Sequence, residues 1–501
     1  MSHREATAPL VDERLAGETT PYVDALEAYV SAGPGRYNVP THKGGPGAPR
    51  RLVDAVGLRA LELDIPPLII GIDGDADSSP YARAQQLAAR AWGARRTWFL
   101  VNGASHGNQA ACLALAHRGR EVVVQRNVHS SVIDGLVLSG LRPIFVAPEL
   151  DERLGIAHCV TPAALRAALA LATDPAGVIV VSPSYYGTTA DLGGLVEAAH
   201  ERGVAIHVDE AWGAHFAFHE SLPRDALSAG ADLVVSSTHK MLGSLTQSAM
   251  IHLGDTDRID EQQLDQAVTT LESTSRSALL ALSLDAARHR AVTVGHGLIE
   301  ASLPALRSVR ERIAALPGLD VLDDRVVGSM GIAAVDPFRV CVDVTGGGAD
   351  GLMLGRLLRT AHDVHVELTG ANVMVAIFAM GERFRDGDRL VSALSGALAS
   401  AAESTDSSLP LHIDARAPDW GGLAMTPRDA FFSPSCAVEI EAAVGRVSVE
   451  SLAVYPPGIP NVLPGELLGA ELIDFLVSSR ARGAFIRGAS DPTLETVRVL
   501  A

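Results

Sequence analysis

The chain has 501 residues, of which 47% are hydrophobic and 20% are charged, and this is the composition of a folded globular protein. A chain of this length is expected to form two or three domains, and nothing in its composition predicts long disordered segments. Its formal net charge of −18 argues against nucleic acid as a partner, because phosphate backbones bind to positively charged surfaces.

The four cysteines are far apart in the chain and form no CxxC pair. This spacing predicts neither a disulfide framework nor a metal site. The opening residues 1–20 include Arg, Glu and Asp, and no later run reaches about 18 uncharged apolar residues, so neither a secretion signal nor a membrane span is expected. We therefore expect a cytoplasmic protein with no membrane partner.

Between residues 80 and 250, short apolar runs alternate with amphipathic segments of helical spacing. Each run is continuous and ends in polar residues or glycine, which is typical of parallel strands buried on both faces. Such a βαβ series predicts a doubly wound α/β domain, with the chemistry at the carboxyl ends of its strands. The predicted strands are TWFLVNG (97–103), EVVVQRN (121–127), RPIFVAP (142–148), GVIVVSP (177–183), VAIHVDE (204–210) and DLVVSST (232–238).

The rest of the chain predicts smaller units. Residues 300–400 have an α+β pattern, with strands in FRVCVDVTG and NVMVAIFAMG around the helix GLMLGRLLRTAH. ESTDSSLP (403–410) is small and polar, as in a linker, and YPPGIPNVLPGE (455–466) is too rich in proline for a helix or central strand and predicts an ordered loop. The predicted units are an N-terminal arm (1–60), a large domain (61–300), a small α+β domain (301–402) and a C-terminal domain (411–501).

The loop VNGASHGNQA (101–110) joins a predicted strand to a predicted helix. Gly103 and Gly107 let the backbone approach a ligand, the helix N-terminus offers N–H groups to an anion, and Ser105 adds a hydroxyl donor. A phosphate is the natural ligand for such a loop. The alternative is a plain connection, since glycine-rich turns of this kind are common.

Two further strand ends carry titratable side chains. Asp209 ends the strand VAIHV, where it is suited either to capping the next helix or to holding a proton on a heteroaromatic nitrogen. His129 follows the strand EVVVQ and is either a structural residue or a ring that stacks on an aromatic ligand. Both alternatives are open on these residues alone.

Lys240 lies in SSTHKMLGSLTQSAM (236–250), just after the last predicted strand. An aldehyde cofactor with a phosphate and a pyridine ring would use the anion loop, the stacking histidine, the carboxylate and the amine together. Pyridoxal 5'-phosphate (PLP) is such a cofactor, and Lys240 would bind it as a Schiff base. Ser237 and His239 are placed to complete the phosphate contacts.

Seven segments of the chain resemble, in order, motifs of the Orn/Lys/Arg decarboxylase family in its short biosynthetic-type branch, over about residues 35–480. The last segment follows the family pattern G-R-I-S-A-E…Y-P-P-G-I-P…P-G-E almost residue for residue and is the most specific. The resemblance implies an aspartate-aminotransferase-like (fold type I PLP) large domain with a mostly parallel doubly wound sheet, and smaller α+β domains on its C-terminal side. The segments are YNVPTHKGG (37–45), VNGASHGN, RNVHSSV (126–132), PSYYG (183–187), VDEAWGAH, STHKML and GRVSVESLAVYPPGIPNVLPGE (445–466).

The resemblance also implies the roles of individual residues. Lys240 would carry the cofactor as an internal aldimine, Asp209 would pair with the pyridine nitrogen, and either Lys240 or His239 would return the proton. His129 would stack on one face of the ring, and Ala211 would lie against the other. The residues implied around the phosphate are Gly103, Ala104, Ser105, His106, Ser237 and His239.

By the same resemblance, the protein forms a homodimer with active sites at the interface, and a higher oligomer is left open. The segment ESTSRSALLALSLDAAR (272–288) resembles the part of the family that reaches the partner's site. For the acidic candidates that would bind a distal substrate cation, the favoured alternative is a structural or solvated carboxylate. Candidates for contacts with the substrate are Ser275, Arg276, Ser277, Asp73, Glu367 and Glu466.

Four positions depart from the family pattern and leave room for diverged chemistry. Thr41 stands where glycine is usual and Trp212 where histidine is usual, while Arg276 and Ala278 replace a proline and a tyrosine.

The first hypothesis is PLP-dependent decarboxylation of lysine, ornithine or arginine to an amine and CO2, as in polyamine biosynthesis. The alternative is a PLP-dependent aminotransferase, lyase or decarboxylase-like oxidase of secondary metabolism. A non-catalytic relative is a third hypothesis, which the intact Lys240 and Asp209 disfavour.

Overall fold

A computed structural model gives the fold of most of the chain. The opening segment 1–18, all but the first residue of the predicted linker 403–410, and residues 456–459 of the proline-rich stretch lie outside the described residues. None of the helices in the described part combines the length and apolar composition that crossing a membrane requires. The structure describes residues 19–67, 69, 71–73, 78–348, 350–403, 421–455, 460–481 and 483–501.

Strands of the first half of the chain form a central seven-stranded sheet. Seven of the ten strands of this half belong to it, and β4, β5 and β7 do not. The ten strands in the described part are β1 (Arg96–Leu100), β2 (Glu121–Gln125), β3 (Arg142–Val146), β4 (Leu150–Asp151), β5 (Ile156–Ala157), β6 (Pro175–Val181), β7 (Thr188–Ala190), β8 (Ala205–Asp209), β9 (Leu233–Ser236) and β10 (Ala249–Leu253). The sheet has the order β1-β10-β9-β8-β6-β2-β3. Strands β9, β8, β6, β2 and β3 pair in parallel, whereas β10 is antiparallel to β9 and to β1. The mostly parallel sheet and its six predicted strands are confirmed.

β10 is absent from the predicted strands. Its five residues, AMIHL, follow a loop of small polar residues, and His252 interrupts the apolar run. His252 is nevertheless buried, because the hydroxyls of Thr97 and Ser236 lie within hydrogen-bond distance of its two ring nitrogens. These cross-strand partners come from distant segments and are not visible in the local pattern.

Helices cover both faces of this sheet. One face packs against α5, α6 and α10, and the other packs against α7 and α8. Val122 and Val124 belong to the first apolar core and Val123 to the second, which is why the strand sequences are continuously apolar. The helices of this half are α1 (Pro21–Ser31), α2 (Arg50–Val56), α3 (Leu58–Leu63), α4 (Pro80–Trp92), α5 (Gly103–Leu115), α6 (Ser130–Ser139), α7 (Pro162–Leu171), α8 (Leu192–Glu201), α9 (Thr238–Met241) and α10 (Glu261–Leu271).

A second, four-stranded sheet follows a long helical connection. Its elements and those beside it are α11 (Ala278–Arg290), α12 (His296–Ala314), β11 (Asp320–Val321), β12 (Ile332–Val335), β13 (Arg339–Asp343), α13 (Gly351–Ala361), β14 (Leu368–Thr369), β15 (Val373–Ile377) and α14 (Phe384–Glu403). A π-helical turn joins α11 to α12. The sheet has the order β11-β13-β15-β14, while β12 pairs with β7 of the first half. The two predicted strands of this region correspond to β13 and β15, and the predicted helix corresponds to α13.

The C-terminal part carries two small sheets. Its elements are α15 (Pro427–Phe432), β16 (Ser435–Glu439), β17 (Leu452–Tyr455), β18 (Pro460–Val462), α16 (Ala470–Ala481), β19 (Phe485–Arg487) and β20 (Thr496–Leu500). The prediction of a loop over 455–466 is wrong at β18, which is an edge strand in the order β18-β17-β19. An edge strand tolerates a proline because its outer side needs no N–H donor. The predicted domain boundaries stay predictions.

Candidate active site

Asp209 and Lys240 lie at the carboxyl ends of adjacent parallel strands. Asp209 is the last residue of β8, and its neighbour on β9 is Val235. β9 ends at Ser236, and Lys240 lies in α9, the short helix that follows. Parallel strands that end at the same edge of a sheet bring such residues into one cleft.

The Lys240 amine is half-buried, and its Nζ lies 4.0 Å from the centroid of the Trp212 ring. Burial lowers the pKa of Lys240 to about 8, Arg339 lowers it as well, and the charges of Asp209 and Glu367 oppose this. An amine with a pKa near 8 is partly uncharged at neutral pH. It can then attack a carbonyl, as the predicted cofactor requires.

The buried carboxylate of Asp209 is oriented by two hydrogen bonds. Oδ2 accepts from Asn108 Nδ2 (2.8 Å), and Oδ1 accepts from the N–H of Ala211 (3.1 Å). Asn108 Oδ1 lies 2.9 Å from His207 Nε2, which fixes the amide with its NH2 group toward Asp209. The Ala211 contact closes a local turn rather than capping a helix, and the carboxylate keeps lone pairs for a further donor.

His129 is tied to the same hydrogen-bond network. It is the N-cap residue of α6, and its Nδ1 accepts from the N–H of Ser131 (3.2 Å), so the neutral ring carries its proton on Nε2. Ser131 Oγ lies 2.8 Å from the same Nδ1 and accepts from Asn108 Nδ2 (3.0 Å). Burial lowers the pKa of His129, and a nearby Asp209 opposes that effect, so the ring is uncharged at neutral pH.

The N-terminus of α5 offers backbone donors. The side chain of its N-cap residue, Asn102, accepts from Gln247 Nε2 (3.1 Å) and makes no capping bond. Gly103 has a φ of +71°, which favours glycine, and its N–H donates to the carbonyl of Gln247 (2.7 Å). Helix geometry leaves the next two N–H groups without intrahelical acceptors. The donors left for an anion are the N–H groups of Ala104 and Ser105 and the Ser105 hydroxyl.

His106 differs from these donors. Its N–H is the first that helix geometry commits to the carbonyl of Asn102. Its buried ring points to α10, where Nε2 donates to the carbonyl of Val268 (2.9 Å). The backbone N–H and Nε2 are thus committed, and Nδ1, which has no partner among the described residues, can only accept in the neutral ring; the phosphate contact of His106 stays a prediction.

The turn between β9 and Lys240 carries further polar groups. Ser237 is buried, and the buried hydroxyl of Thr238 has no hydrogen-bond partner among the described residues. His239 Nδ1 donates to the carbonyl of Ser248 (2.8 Å), so the neutral ring keeps a lone pair on Nε2, and burial lowers its pKa. An unpaired buried hydroxyl indicates that a bound group completes this turn.

Arg339, at the start of β13, is fully buried beside Trp212, with its Cζ 3.9 Å from the ring centroid. Within the described ranges, none of its three guanidinium nitrogens has a hydrogen-bond partner. Burial lowers its pKa to about 10, so the group is charged at neutral pH. The nearby carboxylates of Asp336 and Glu367 raise its pKa without hydrogen-bonding to it, so the guanidinium keeps donors for a further anion near Lys240.

The side chains and backbone N–H groups of this site are chemically suited to bind PLP. A half-buried amine, an oriented carboxylate and a neutral imidazole converge, as their mutual effects on the pKa values of Lys240 and His129 show. Uncapped N–H groups and an unpaired hydroxyl are available to a phosphate. The roles of these residues remain predictions.

Comparison with known proteins identifies the family. The model of the Orn/Lys/Arg decarboxylase major domain matches residues 20–344, and that of the C-terminal domain matches residues 422–486. The chain is 34% identical over 486 residues to the arginine decarboxylase of Bacillus subtilis (strain 168), covering 97% of this chain and 99% of that protein. This chain belongs to the Orn/Lys/Arg decarboxylase family. The family predicted from the motifs is confirmed, and with it the predicted class of enzyme.

Solved structures agree on the fold. The lysine decarboxylase LdcF of Francisella novicida has a TM-score of 0.82 at 19% identity, covering 97% of this chain and 82% of that one. A structure of SPT with a PLP internal aldimine has a TM-score of 0.52 at 15% identity, covering 77% of this chain and 85% of that one. At these identities the likeness concerns the fold, and it confirms the predicted fold class.

The segment that resembles the partner-reaching part of the decarboxylase family is only partly available to a partner. Ser275 is exposed, and its contact with a partner stays a prediction. Ser277 is the N-cap residue of α11, where its hydroxyl accepts a backbone N–H (3.4 Å). This local role accounts for Ser277 without a substrate.

Arg276 and Asp73 bind each other inside one subunit. Arg276 Nη2 lies 3.3 Å from Asp73 Oδ1, and its Cζ lies 4.0 Å from the centroid of the Tyr81 ring. Burial raises the pKa of Asp73, and Arg276 opposes that effect. This ion pair gives both residues a structural role, and their contact with the substrate stays a prediction.

The two glutamates proposed for substrate binding differ. Glu466 is fully buried, and its Oε2 accepts from Arg126 Nη2 (3.0 Å) and from the N–H of Leu463 (2.8 Å). Arg126 supplies the cation that this buried carboxylate needs, while Oε1 has no partner among the described residues, and the substrate role of Glu466 stays a prediction. Glu367 is exposed, and its charge raises the pKa of both Lys240 and Arg339. Glu367 thus lies at the edge of the site.

Gly107 serves packing rather than a ligand. A Cβ at this position would lie 2.4 Å from Val235 Cγ2 and 2.9 Å from Leu100 Cδ1. The glycine therefore allows α5 to lie directly on the sheet, which corrects the expectation that it opens the loop to a phosphate.

One cluster among the described side chains has ligand atoms close enough to share a metal ion: His219, Glu220 and His296, within 4.8 Å. His219 Nδ1 accepts from the N–H of Ser221 (3.1 Å), so Nε2 carries the proton and donates to Glu300 (2.9 Å). In this tautomer His219 has no free lone pair for a metal. The cluster is better explained by hydrogen bonds between histidines and carboxylates.

Three polar residues of the site were not assigned a role from the sequence. Asn108 and Ser131 connect Asp209 to His129, and Arg339 forms the anion site. A signal for Arg339 is present, since an arginine opens the otherwise apolar strand RVCVD. Asn108 and Ser131 give no such signal, because their partners are side chains brought together from other segments.

Proposed function

We propose that this protein is a PLP-dependent decarboxylase that converts a basic amino acid, in the first place arginine, to its amine and CO2. The observation that carries the proposal is Lys240, with its lowered pKa, beside the buried carboxylate of Asp209 at adjacent strand ends. The choice of arginine over lysine and ornithine rests on the Bacillus subtilis relative named arginine decarboxylase.

When bound, PLP supplies an aromatic ring that accepts the electron pair left on Cα as CO2 departs. Asp209 would hold a proton on the ring nitrogen, because a neighbouring carboxylate favours the protonated form of a base. Asn108 and Ala211 keep Asp209 oriented through their two hydrogen bonds. His129 would place its uncharged face against the ring.

Two charges are available to bind the substrate. Arg339 would bind the α-carboxylate, which would supply the partner that its guanidinium lacks among the described residues. The Trp212 ring beside it is apolar and buried, so the carboxylate would be bound away from water. Glu367, at the exposed edge, would face the distal cation of the substrate.

The proton returned to Cα is assigned to Lys240 rather than to His239. Neutral His239 donates its one N–H to the carbonyl of Ser248 and offers only a lone pair on Nε2. Burial lowers its pKa, so the ring does not carry a second proton at neutral pH. Lys240, with a pKa of about 8, is mostly an ammonium at pH 7 when it is not bound to the cofactor.

We also propose a homodimer with active sites at its interface, a cytoplasmic location and a role in polyamine synthesis. The dimer is supported by apolar side chains exposed in one segment, since such patches mark interfaces. These residues are Tyr37, Val39, Leu52, Val56 and Leu58.

The test is a screen of purified protein with added PLP for CO2 release from arginine, ornithine, lysine and the other common amino acids. We expect release with arginine, with agmatine formed in equal amount. Release of CO2 from lysine or ornithine but not from arginine would make that amino acid the substrate and leave the proposed reaction unchanged. Formation of peroxide, ammonia or a keto acid in place of CO2 and amine would overturn the proposal.

A further inference from the structure

The Trp212 ring contacts two cations. Lys240 Nζ lies 4.0 Å and Arg339 Cζ lies 3.9 Å from the ring centroid. Both distances are within the range of cation–π attraction, in which the negative face of an aromatic ring stabilises a positive charge. Trp212 is 7% exposed and Arg339 is 0% exposed, so water screens these contacts poorly.

Two like charges on one buried ring work against each other. A cation held by the ring reduces the negative potential that the ring can offer to a second cation. Arg339 also lowers the pKa of Lys240 directly through its charge. The buried arginines Arg126 and Arg288 are each paired with a carboxylate, whereas Arg339 has none within hydrogen-bond distance in the described part.

We propose that Trp212 is a positioning residue that couples the charge at Arg339 to the protonation of Lys240. The proposal rests on the proposed function in one respect, namely that the α-carboxylate of the substrate binds Arg339. When that carboxylate neutralises Arg339, both the ring and the local field favour an ammonium at Lys240. At a pH near 8, where about half of Lys240 is uncharged, the amine then takes up a proton while substrate is bound: an O–H bond of a solvent hydronium ion breaks as the N–H bond forms.

Other charged groups act on Lys240 but do not replace this coupling. Asp209 raises its pKa, and Glu367 does so from the exposed edge. The groups that act on Arg339 and raise its pKa are Asp336, Glu367, Cys341 and Tyr185. The charge of Lys240 in turn lowers the pKa values of His129 and His239. Both imidazoles are already neutral at pH 7, so carboxylate binding at Arg339 changes only the charge that faces the Trp212 ring.

The test uses an uncommon property of this sequence. The chain has only two lysines, Lys43 and Lys240. In full-length protein labelled with [ε-13C]lysine, NMR therefore gives two lysine signals, and Lys43→Arg assigns them. Cofactor is removed first, and thermal unfolding shows that the fold is retained. A pH titration then reports the pKa of Lys240, which we expect at about 8.

The ligand arm uses 5-guanidinopentanoate, which has the carboxylate and guanidinium of arginine but no α-amine. We expect it to raise the pKa of Lys240 by about one pH unit, the size of shift that one neighbouring charge causes. Arg339→Met should produce the same rise without ligand and should abolish the response to the ligand. An unchanged pKa of Lys240 in Arg339→Met would overturn the proposal.

A further experiment distinguishes an effect that acts through the Trp212 ring from a direct effect of the Arg339 charge on Lys240. Fluorinated tryptophan has a weaker negative face and nearly the same shape, so its incorporation should lower the pKa of Lys240 by on the order of 0.5 pH unit. The same labelling of Trp212→Phe should have no effect. The shift caused by Arg339→Met should be larger with tryptophan at this position than in the Trp212→Phe background. Equal shifts in both backgrounds would remove Trp212 from the coupling.

These outcomes are independent of turnover. A protein that shows the pKa shifts but releases no CO2 from any amino acid refutes the proposed reaction and retains the coupling. A protein that decarboxylates arginine with no shift in either arm retains the reaction and refutes the coupling. The ligand and fluorotryptophan arms need no substitution, so together they still test the coupling if a variant fails to fold.

Discussion

Two buried arginines of this protein lie in opposite surroundings. Arg126, after β2, donates to the carbonyl of Pro460 (2.7 Å) and to Glu466 Oε2 (3.0 Å), and thereby joins the central sheet to the C-terminal part. Arg339, at the start of β13, has no hydrogen-bond partner for its guanidinium in the described part of the chain. Both are charged groups removed from water, but only the first is hydrogen-bonded to a carboxylate within the described residues, since the buried Asp336 raises the pKa of Arg339 without such a bond.

The difference separates structure from function. A buried ion pair with good geometry holds two segments in register, and breaking it is expensive because the other charge remains buried. A buried cation left unpaired is unfavourable unless a ligand completes it, so it occurs where ligands bind. Lys240 belongs to the second class, because its ammonium is held by an aromatic ring.

The largest expected effect is at the unpaired lysine. Lys240→Ala should lower CO2 release by on the order of 10⁶-fold, because the amine that binds the cofactor is lost. The yellow absorbance of bound cofactor should be lost as well. Lys240→Arg is the matched control: it keeps the positive charge but not an amine of lowered pKa, and should be equally inactive. Retained activity in either variant would contradict the assignment of Lys240.

The next effect concerns Asp209. Asp209→Asn keeps the size and the hydrogen-bonding shape of the side chain but removes the charge that would hold a proton on the ring nitrogen. We expect cofactor to be retained and kcat to fall by on the order of 1,000-fold. Absorbance and kcat should be measured on the same preparation. A fall in cofactor content with unchanged kcat per bound cofactor would argue for a purely structural carboxylate.

At the paired arginine the effect should fall on stability. Arg126→Met leaves the Glu466 carboxylate buried without a cation, and we expect the free energy of unfolding to fall by about 3–5 kcal/mol. Adding Glu466→Gln to that variant should recover part of the loss. Denaturant unfolding measures both. A loss below about 1 kcal/mol would place this pair with the weak surface ion pairs.

Arg339→Met is the counterpart of Arg126→Met. We expect its stability to be unchanged or slightly higher, because an unpaired buried charge is removed. The KM for arginine should rise by about 100-fold, the value of two charge-assisted hydrogen bonds to a carboxylate. If the two variants lose equal stability, the distinction between paired and unpaired arginine is wrong.

The smallest effect is expected at the exposed edge. Glu367→Gln should raise the KM for arginine by about 5-fold at most, since a solvent-exposed ion pair is worth about 1 kcal/mol or less. The effect should shrink as salt is added. Asp363→Asn, on the same exposed segment, is the control and should leave KM unchanged. A larger rise in KM for Asp363→Asn than for Glu367→Gln would show that Glu367 does not bind the substrate cation.

Much of the fold was predictable because its signals are local. The runs around Val122–Val124 are continuously apolar because alternate residues enter the cores on opposite faces of the sheet. β18 was not predicted, because whether a proline lies on an edge strand depends on which strands pair beside it. β10 was missed because the groups that satisfy His252 lie on neighbouring strands.

The sequence by itself determined the order of strands and helices and the position of Asp209 and Lys240 at strand ends, since both follow from short-range patterns. Only the tertiary structure decided which charges are paired. Arg126 binds Glu466, which is 340 positions away in the chain, and Arg276 binds Asp73, which is 203 positions away. Arg339 has no hydrogen-bonded carboxylate among the residues that the structure describes. The cost of a buried charge depends on burial and on the nearest opposite charge, and both arise when distant segments pack together.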